Sequence, residues 1–95
     1  MKIKLSEFST VIANSEIGEE IYLSLKKLLN KKDNIELDFD NVSVMTTFTA
    51  KQIFGRLYIE LGSEDFYKKF AFKNTSNDLK IIIQNSIQDS VENQD

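Results

Sequence analysis

Hydrophobic positions along this chain follow two rhythms, one of period two and one of helical period, and the switches between them divide it into elements. Lys2-Ile-Lys-Leu5 alternates as a half-buried or edge strand does, and Ser9-Thr-Val-Ile-Ala13 reads as a second short strand. Ile17, Ile21, Leu25, Leu28 and Leu29 then recur at helical spacing and predict a helix over about residues 15–31. Asn14 or Ser15 supplies its N-cap, Glu16, Glu19 and Glu20 lie towards its start, and Lys26, Lys27, Lys31 and Lys32 crowd its end, as the helix dipole favours.

Lys32-Asp33-Asn34 breaks that helix, and Ile35-Glu-Leu-Asp-Phe39 returns to period two. Ile35, Leu37 and Phe39 fall on one face of a central strand, with Glu36 and Asp38 on the other. Val42, Val44 and Met45 carry an apolar path through the following loop, after which Thr47 or Thr49 can cap a second helix; Thr49 and Gln52 have capping-box spacing. Ile53, Phe54, Leu57, Tyr58 and Leu61 form its buried stripe, and Gly62 stands where a C′ glycine belongs. Gly55, inside that helix, implies a close approach to the sheet, because glycine there costs about 1 kcal/mol relative to alanine. Phe66 to Phe72 reads as a short helical turn leading into a strand with Phe70 and Phe72 on one face. Asn74, Thr75 or Ser76 then caps a third helix carrying Leu79, Ile82, Ile83, Ile87 and Val91. Residues 89–95 are polar and read as a frayed tail. The order is β(β)αβαβα, an α/β arrangement whose alternating units imply a small, mostly parallel sheet with helices packed on it.

Ninety-five residues suit one domain, 1–95, with one modest core. With 12 Lys plus Arg against 15 Asp plus Glu, the net charge of -3 offers no general attraction to nucleic acid or to anionic membrane. The basic cluster at the end of the first helix is what the dipole calls for, and no aromatic interleaves with it. The chain contains neither cysteine nor histidine. Thiolate chemistry, histidine-based triads and His/Cys zinc sites are thereby excluded. No apolar run is long enough for a signal peptide or a membrane span, so a cytoplasmic location is the expectation. An edge strand at Lys2 to Leu5 would allow a weak dimer as well as a monomer.

Leu37-Asp-Phe-Asp-Asn-Val42, followed by Met45-Thr46-Thr47 and a helix reading Ala50-Lys-Gln-Ile-Phe-Gly-Arg-Leu57 and ending Leu61-Gly62, resembles the STAS-like family of small bacterial proteins of unknown function. Asn14-Ser-Glu-Ile-Gly-Glu-Glu-Ile21 is similar to that family's opening helix, and the resemblance covers nearly the whole chain. The family in turn resembles the STAS domains of anti-sigma-factor antagonists. That likeness implies a non-enzymatic module, without cofactor or metal, that binds a GHKL-type ATPase/kinase or an anti-sigma-like factor. It also implies a switch, in which the kinase phosphorylates a serine or threonine at the start of the helix after the central strand. In that frame the family's Asp-Ser-Ser-Gly loop falls on Thr46-Thr47-Phe48-Thr49, making Thr47, with Thr46 beside it, the phosphoacceptor candidate. Thr46 replaces the acidic residue of that loop, Phe48 a small one and Thr49 the glycine.

The expected partner-binding surface comprises Asp40, Asn41, Thr46, Thr47, Phe48, Thr49 and Lys51. Unsatisfied N–H groups and the dipole make a helix start receptive to phosphate, whereas the plainer reading of the three threonines is that they are capping hydroxyls. Phe48 either folds into the core, the side favoured by the inward preference of phenylalanine, or projects as a docking knob. Asp38 and Asp40 could hold Mg²⁺ at a strand end, but no phosphate-cradling glycine loop or catalytic lysine accompanies them, and a solvated strand end with an Asx-type turn at Asp40-Asn41 explains them as well. The alternative to a protein-interaction module is a small-molecule or nucleotide-binding sensor at the C-terminal edge of the sheet, the usual ligand site of such folds.

Overall fold

A computed structural model describes residues 1–93. Three parallel strands, β1 (Lys2–Lys4), β3 (Ile35–Asp38) and β5 (Phe70–Lys73), form a sheet in the order β1-β3-β5. A second pair, β2 (Val11–Ile12) and β4 (Val44–Met45), is also parallel and stands as a separate two-stranded sheet. The mostly parallel α/β arrangement expected from the sequence is therefore present, divided between two sheets. β4 was expected to be loop, since two residues are too few to show an alternation; what makes them a strand is the pairing Val11↔Val44 and Ile12↔Met45. β3 is central and β1 is an edge, as their patterns indicated. Lys2 and Lys4 place charge on that edge, a feature that discourages further strand pairing.

Helix α1 (Ser15–Lys27) starts where Asn14 accepts the Ile17 N–H at 2.8 Å, and a 3₁₀ turn (Leu28–Asn30) extends it. The second helical run is compound: α2 (Thr47–Ala50), a π-helical turn (Lys51–Gly55) and α3 (Arg56–Leu61) follow without a break. Gly62, at φ 84°, ends it as the C′ position requires. Helix α4 (Ser63–Lys69) precedes β5, and α5 (Asn77–Glu92) is capped by Ser76, which accepts the Leu79 N–H. Positions 89–92, expected in the frayed tail, are the last turn of α5; residues 94 and 95 lie outside the described residues.

The core joins Ile35, Leu37 and Phe39 of the central strand segment to Ile21 and Leu25 of α1, Ile53, Phe54 and Leu57 of the compound helix, and Leu79, Ile83 and Ile87 of α5. Val91, expected on the buried stripe of α5, is exposed. Phe72 links the aromatic part of this core, with ring centroids 5.8 Å from Phe39, 5.5 Å from Phe54 and 6.1 Å from Phe66. Gly55 does mark a close approach, but to α5: a Cβ built there would lie 2.0 Å from Ser90 Oγ. Gly18 does the same for α1 against the compound helix, where a Cβ would meet Gln52 Oε1 at 2.3 Å. The π turn consequently packs against both α1 and α5.

Candidate functional site

The junction between β4 and α2 holds the four residues Thr46 to Thr49, and each has a different environment. Thr46, not Thr47 or Thr49, is the N-cap: its backbone is extended (φ -81°, ψ 154°) and its Oγ1 accepts the Thr49 N–H at 3.2 Å. The cap shifts back from the expected positions because the Thr46 N–H is already committed to the Ile12 carbonyl of β2, at 3.1 Å, which holds that residue in strand-like geometry. Thr49 is fully buried, with its Oγ1 2.7 Å from Thr46 Oγ1, so it cannot present itself to a partner. Gln52, the expected capping-box partner of Thr49, instead donates to the Ser15 carbonyl and to Glu19 of α1.

Thr47 is exposed at the first helical position, and its carbonyl lies 3.2 Å from Ser86 Oγ of α5, a hydroxyl it shares with the Ile82 carbonyl at 2.7 Å. Phe48 is 68% exposed, which settles its orientation as outward. It stands at an open, mainly apolar groove of about 550 Å³ whose lining includes Lys51, Arg56 and Ile59 of the compound helical run and Ser90 of α5. Ile59 is also exposed, so two large apolar side chains border one concavity. Lys51 pairs with Asp89 of α5 at 2.7 Å. Asp40 and Asn41 are exposed on a separate turn, closed by the Val42 N–H to Phe39 carbonyl bond with Asn41 at φ 67°, and are not among the groove-lining residues.

Asp38, at the end of β3, is 2% exposed, and this overturns its reading as a solvated strand end. Its carboxylate accepts the Asn74 side-chain N–H at 2.8 Å and the Asp40 backbone N–H at 2.9 Å, and lies 3.3 Å from Lys2 Nζ. Asp38, and not Asp40, therefore makes the Asx-type turn. The Asn74 amide, the Asp40 N–H and Lys2 overcome burial and hold this carboxyl down at about 2. Among the described residues no group of three or more His, Cys, Asp or Glu is placed to hold a metal ion.

One wall of the groove is anchored to α1 by charge. Arg56 bonds Glu19 at 2.6 Å and lies 3.6 Å over the Tyr22 ring; Lys26 bonds Glu60 at 2.9 Å, and the Tyr22 hydroxyl donates to Glu60. Burial pushes the Glu60 carboxyl up, but the Tyr22 and Lys26 bonds prevail and hold it below the usual range. Arg56, Ile59, Ser86 and Asp89 were not singled out in the sequence. Ser86 carried a signal, a polar residue in helical register with the Leu79–Ile83–Ile87 stripe.

A family model described as a STAS-like domain of unknown function (DUF4325) matches residues 17–80. No curated protein and no solved structure matches the chain. Among the described residues no helix is long and apolar enough to cross a membrane.

Proposed function

Since the chain belongs to the family of STAS-like domains of unknown function, we propose that it is a non-enzymatic regulatory module that binds a protein partner through Phe48 and the groove beside it, under control of phosphorylation at Thr47. The observation that carries this reading is the outward Phe48 next to an exposed Thr47. Phe48 is the most exposed large apolar side chain among the described residues, and an aromatic set beside a concavity suits an interface anchor. Asp40 and Asn41, on their separate turn, would belong to the outer margin of such an interface. The partner class, a GHKL-type ATPase/kinase or an anti-sigma-like factor, rests on the likeness to anti-sigma-factor antagonists. In the switch, Thr47 Oγ1 would attack the γ-phosphorus of a nucleoside triphosphate held by the partner kinase. The bond to the diphosphate breaks and the hydroxyl proton passes to a base of the kinase. A cytoplasmic, monomeric protein fits this role.

Phe48→Ala is expected to abolish capture of such a kinase by the immobilised protein while leaving stability within about 0.5 kcal/mol, as for exposed positions generally. Stability loss without a selective binding defect would count against the reading. Mass spectrometry of the protein after incubation with the kinase and ATP is expected to place phosphate on Thr47 and none on the capping Thr46.

A second reading draws support from a smaller recess of about 180 Å³ alongside β5, between α4 and α5, bordered by Tyr67, Phe72, Thr75, Lys80, Ile83, Gln84 and Ile87. Ligand pockets for drug-sized molecules usually exceed about 300 Å³, so only a single-ring or nucleobase-sized molecule would fit. A thermal shift of several degrees with a small ligand at modest concentration would favour this sensor over a purely protein-binding role.

A further inference from the structure

Thr47, Lys51 and Gly55 stand four residues apart along the compound helix, and the Lys51 N–H reaches the Thr47 carbonyl, so helical register holds across that step. Facing them on α5 are Ser86, Asp89 and Ser90, spaced three and one apart. The contacts form a ladder of three rungs. Ser86 Oγ, whose shorter bond is to the Ile82 carbonyl of its own helix at 2.7 Å, also lies 3.2 Å from the Thr47 carbonyl, Lys51 Nζ meets Asp89 Oδ2 at 2.7 Å, and glycine at 55 admits Ser90. Of these rungs the middle one is charged and partly solvated, with the Lys51 side chain 42% and the Asp89 side chain 47% exposed. Exposed ion pairs of this kind are weak and exchange partners readily.

We infer that Lys51 is a cation shared between two anions, bound to Asp89 while Thr47 carries its hydroxyl and recruited by the phosphate once Thr47 is phosphorylated. The inference rests on the Thr47 switch proposed above and states what the modification does inside the protein. An acidic group one helical turn N-terminal to a lysine is the favourable order for an i,i+4 pair. A phosphothreonine brings close to two negative charges and three acceptor oxygens, against the single charge of the Asp89 carboxylate. Capture of Lys51 frees Asp89 and breaks the charged link between α5 and the groove wall that Lys51 and Ser90 share. The groove would then change its rim charge and its tie to α5 together.

The full chain carrying phosphothreonine at position 47, prepared by chemical ligation, tests this by ³¹P NMR titration. A free phosphothreonine loses its second proton near pH ~6. Pairing with Lys51 is expected to lower that midpoint by about 0.3 pH unit, the size an exposed i,i+4 pair supports. Lys51→Gln should return it towards the ordinary value, and Asp89→Asn, which removes the competing carboxylate, should lower it further. The amide signals of Asp89 to Asn93 should move on phosphorylation in the parent chain and stay still in the Lys51→Gln chain. Equal midpoints in all three chains would overturn the inference. A failed partner capture would sink the regulatory reading without touching this titration, whereas partner release on phosphorylation with a flat titration would remove the role of Lys51 alone.

Discussion

At the scale of single residues, Thr46, Thr47 and Thr49 separate cleanly although their side chains are identical. Thr46 caps, Thr47 faces water and Thr49 is fully buried against the Thr46 hydroxyl. Their substitutions should separate in the same way under chemical denaturation. Thr46→Ala is expected to cost about 1 kcal/mol through loss of the cap. Thr49→Val, which keeps the shape and removes one buried hydrogen bond, should also cost about 1 kcal/mol, and Thr47→Ala should fall within about 0.5 kcal/mol of the parent. None of this division was legible in the sequence, where any of these hydroxyls makes an acceptable cap. The choice among them is made from outside the segment, by the Ile12 carbonyl that holds the Thr46 N–H. Phe48 was equally undecidable, because the inward preference of phenylalanine is a property of averages and the position's direction follows from where the helix begins.

At the scale of elements, long periodic segments were legible and short or compound ones were not. The stripe Ile17–Ile21–Leu25 and the alternation Ile35–Leu37–Phe39 each gave the right element, because burial on one face repeats often enough to show. The two-residue β4 shows no period, and the π turn leaves the apolar positions Ile53, Phe54 and Leu57 close enough to helical spacing to pass unnoticed. Gly55 announced a close approach but pointed to the wrong neighbour, since the sheet was expected and the contact is Ser90 of α5. Gly55→Ala in the parent forces the Ser90 hydroxyl out of its bond to the Ser86 carbonyl, so the helix-propensity gain is offset. In a Ser90→Ala background the added methyl still meets the residue-90 Cβ at 3.1 Å and Lys51 Cγ at 3.4 Å, so there Gly55→Ala is expected to be better tolerated than in the parent but to gain less than the full ~1 kcal/mol of helix propensity. Denaturation of the four chains of that cycle measures the coupling.

At the scale of the whole molecule, Asp38 joins three distant stretches of chain, since Lys2 comes from β1 and Asn74 from the turn before α5. Its folded value of about 2 lies below the ordinary 3.8, so the stability it adds is fully present above the ordinary value and is lost as pH falls through about 2. The melting temperature of the parent should therefore fall across that acid window by more than that of Asp38→Asn, which has no carboxylate to titrate. The strand pattern placed Asp38 on a polar face and left its burial unseen, because its partners lie 36 residues away on either side of β3.

The pairing of β2 with β4 carries a practical consequence. Family membership covers residues 17–80, a stretch that omits β1, β2 and everything after the first turn of α5. A protein trimmed to those limits would lose one strand of the three-stranded sheet, the Ile12 carbonyl that moors Thr46, and the Ser86, Asp89 and Ser90 side chains that brace the compound helix. It is expected to show no cooperative unfolding transition by circular dichroism, and the full chain is expected to show one. The stretch that marks kinship lacks the Ile12 carbonyl and the α5 side chains that meet the threonine junction, so experiments on that junction need both flanks.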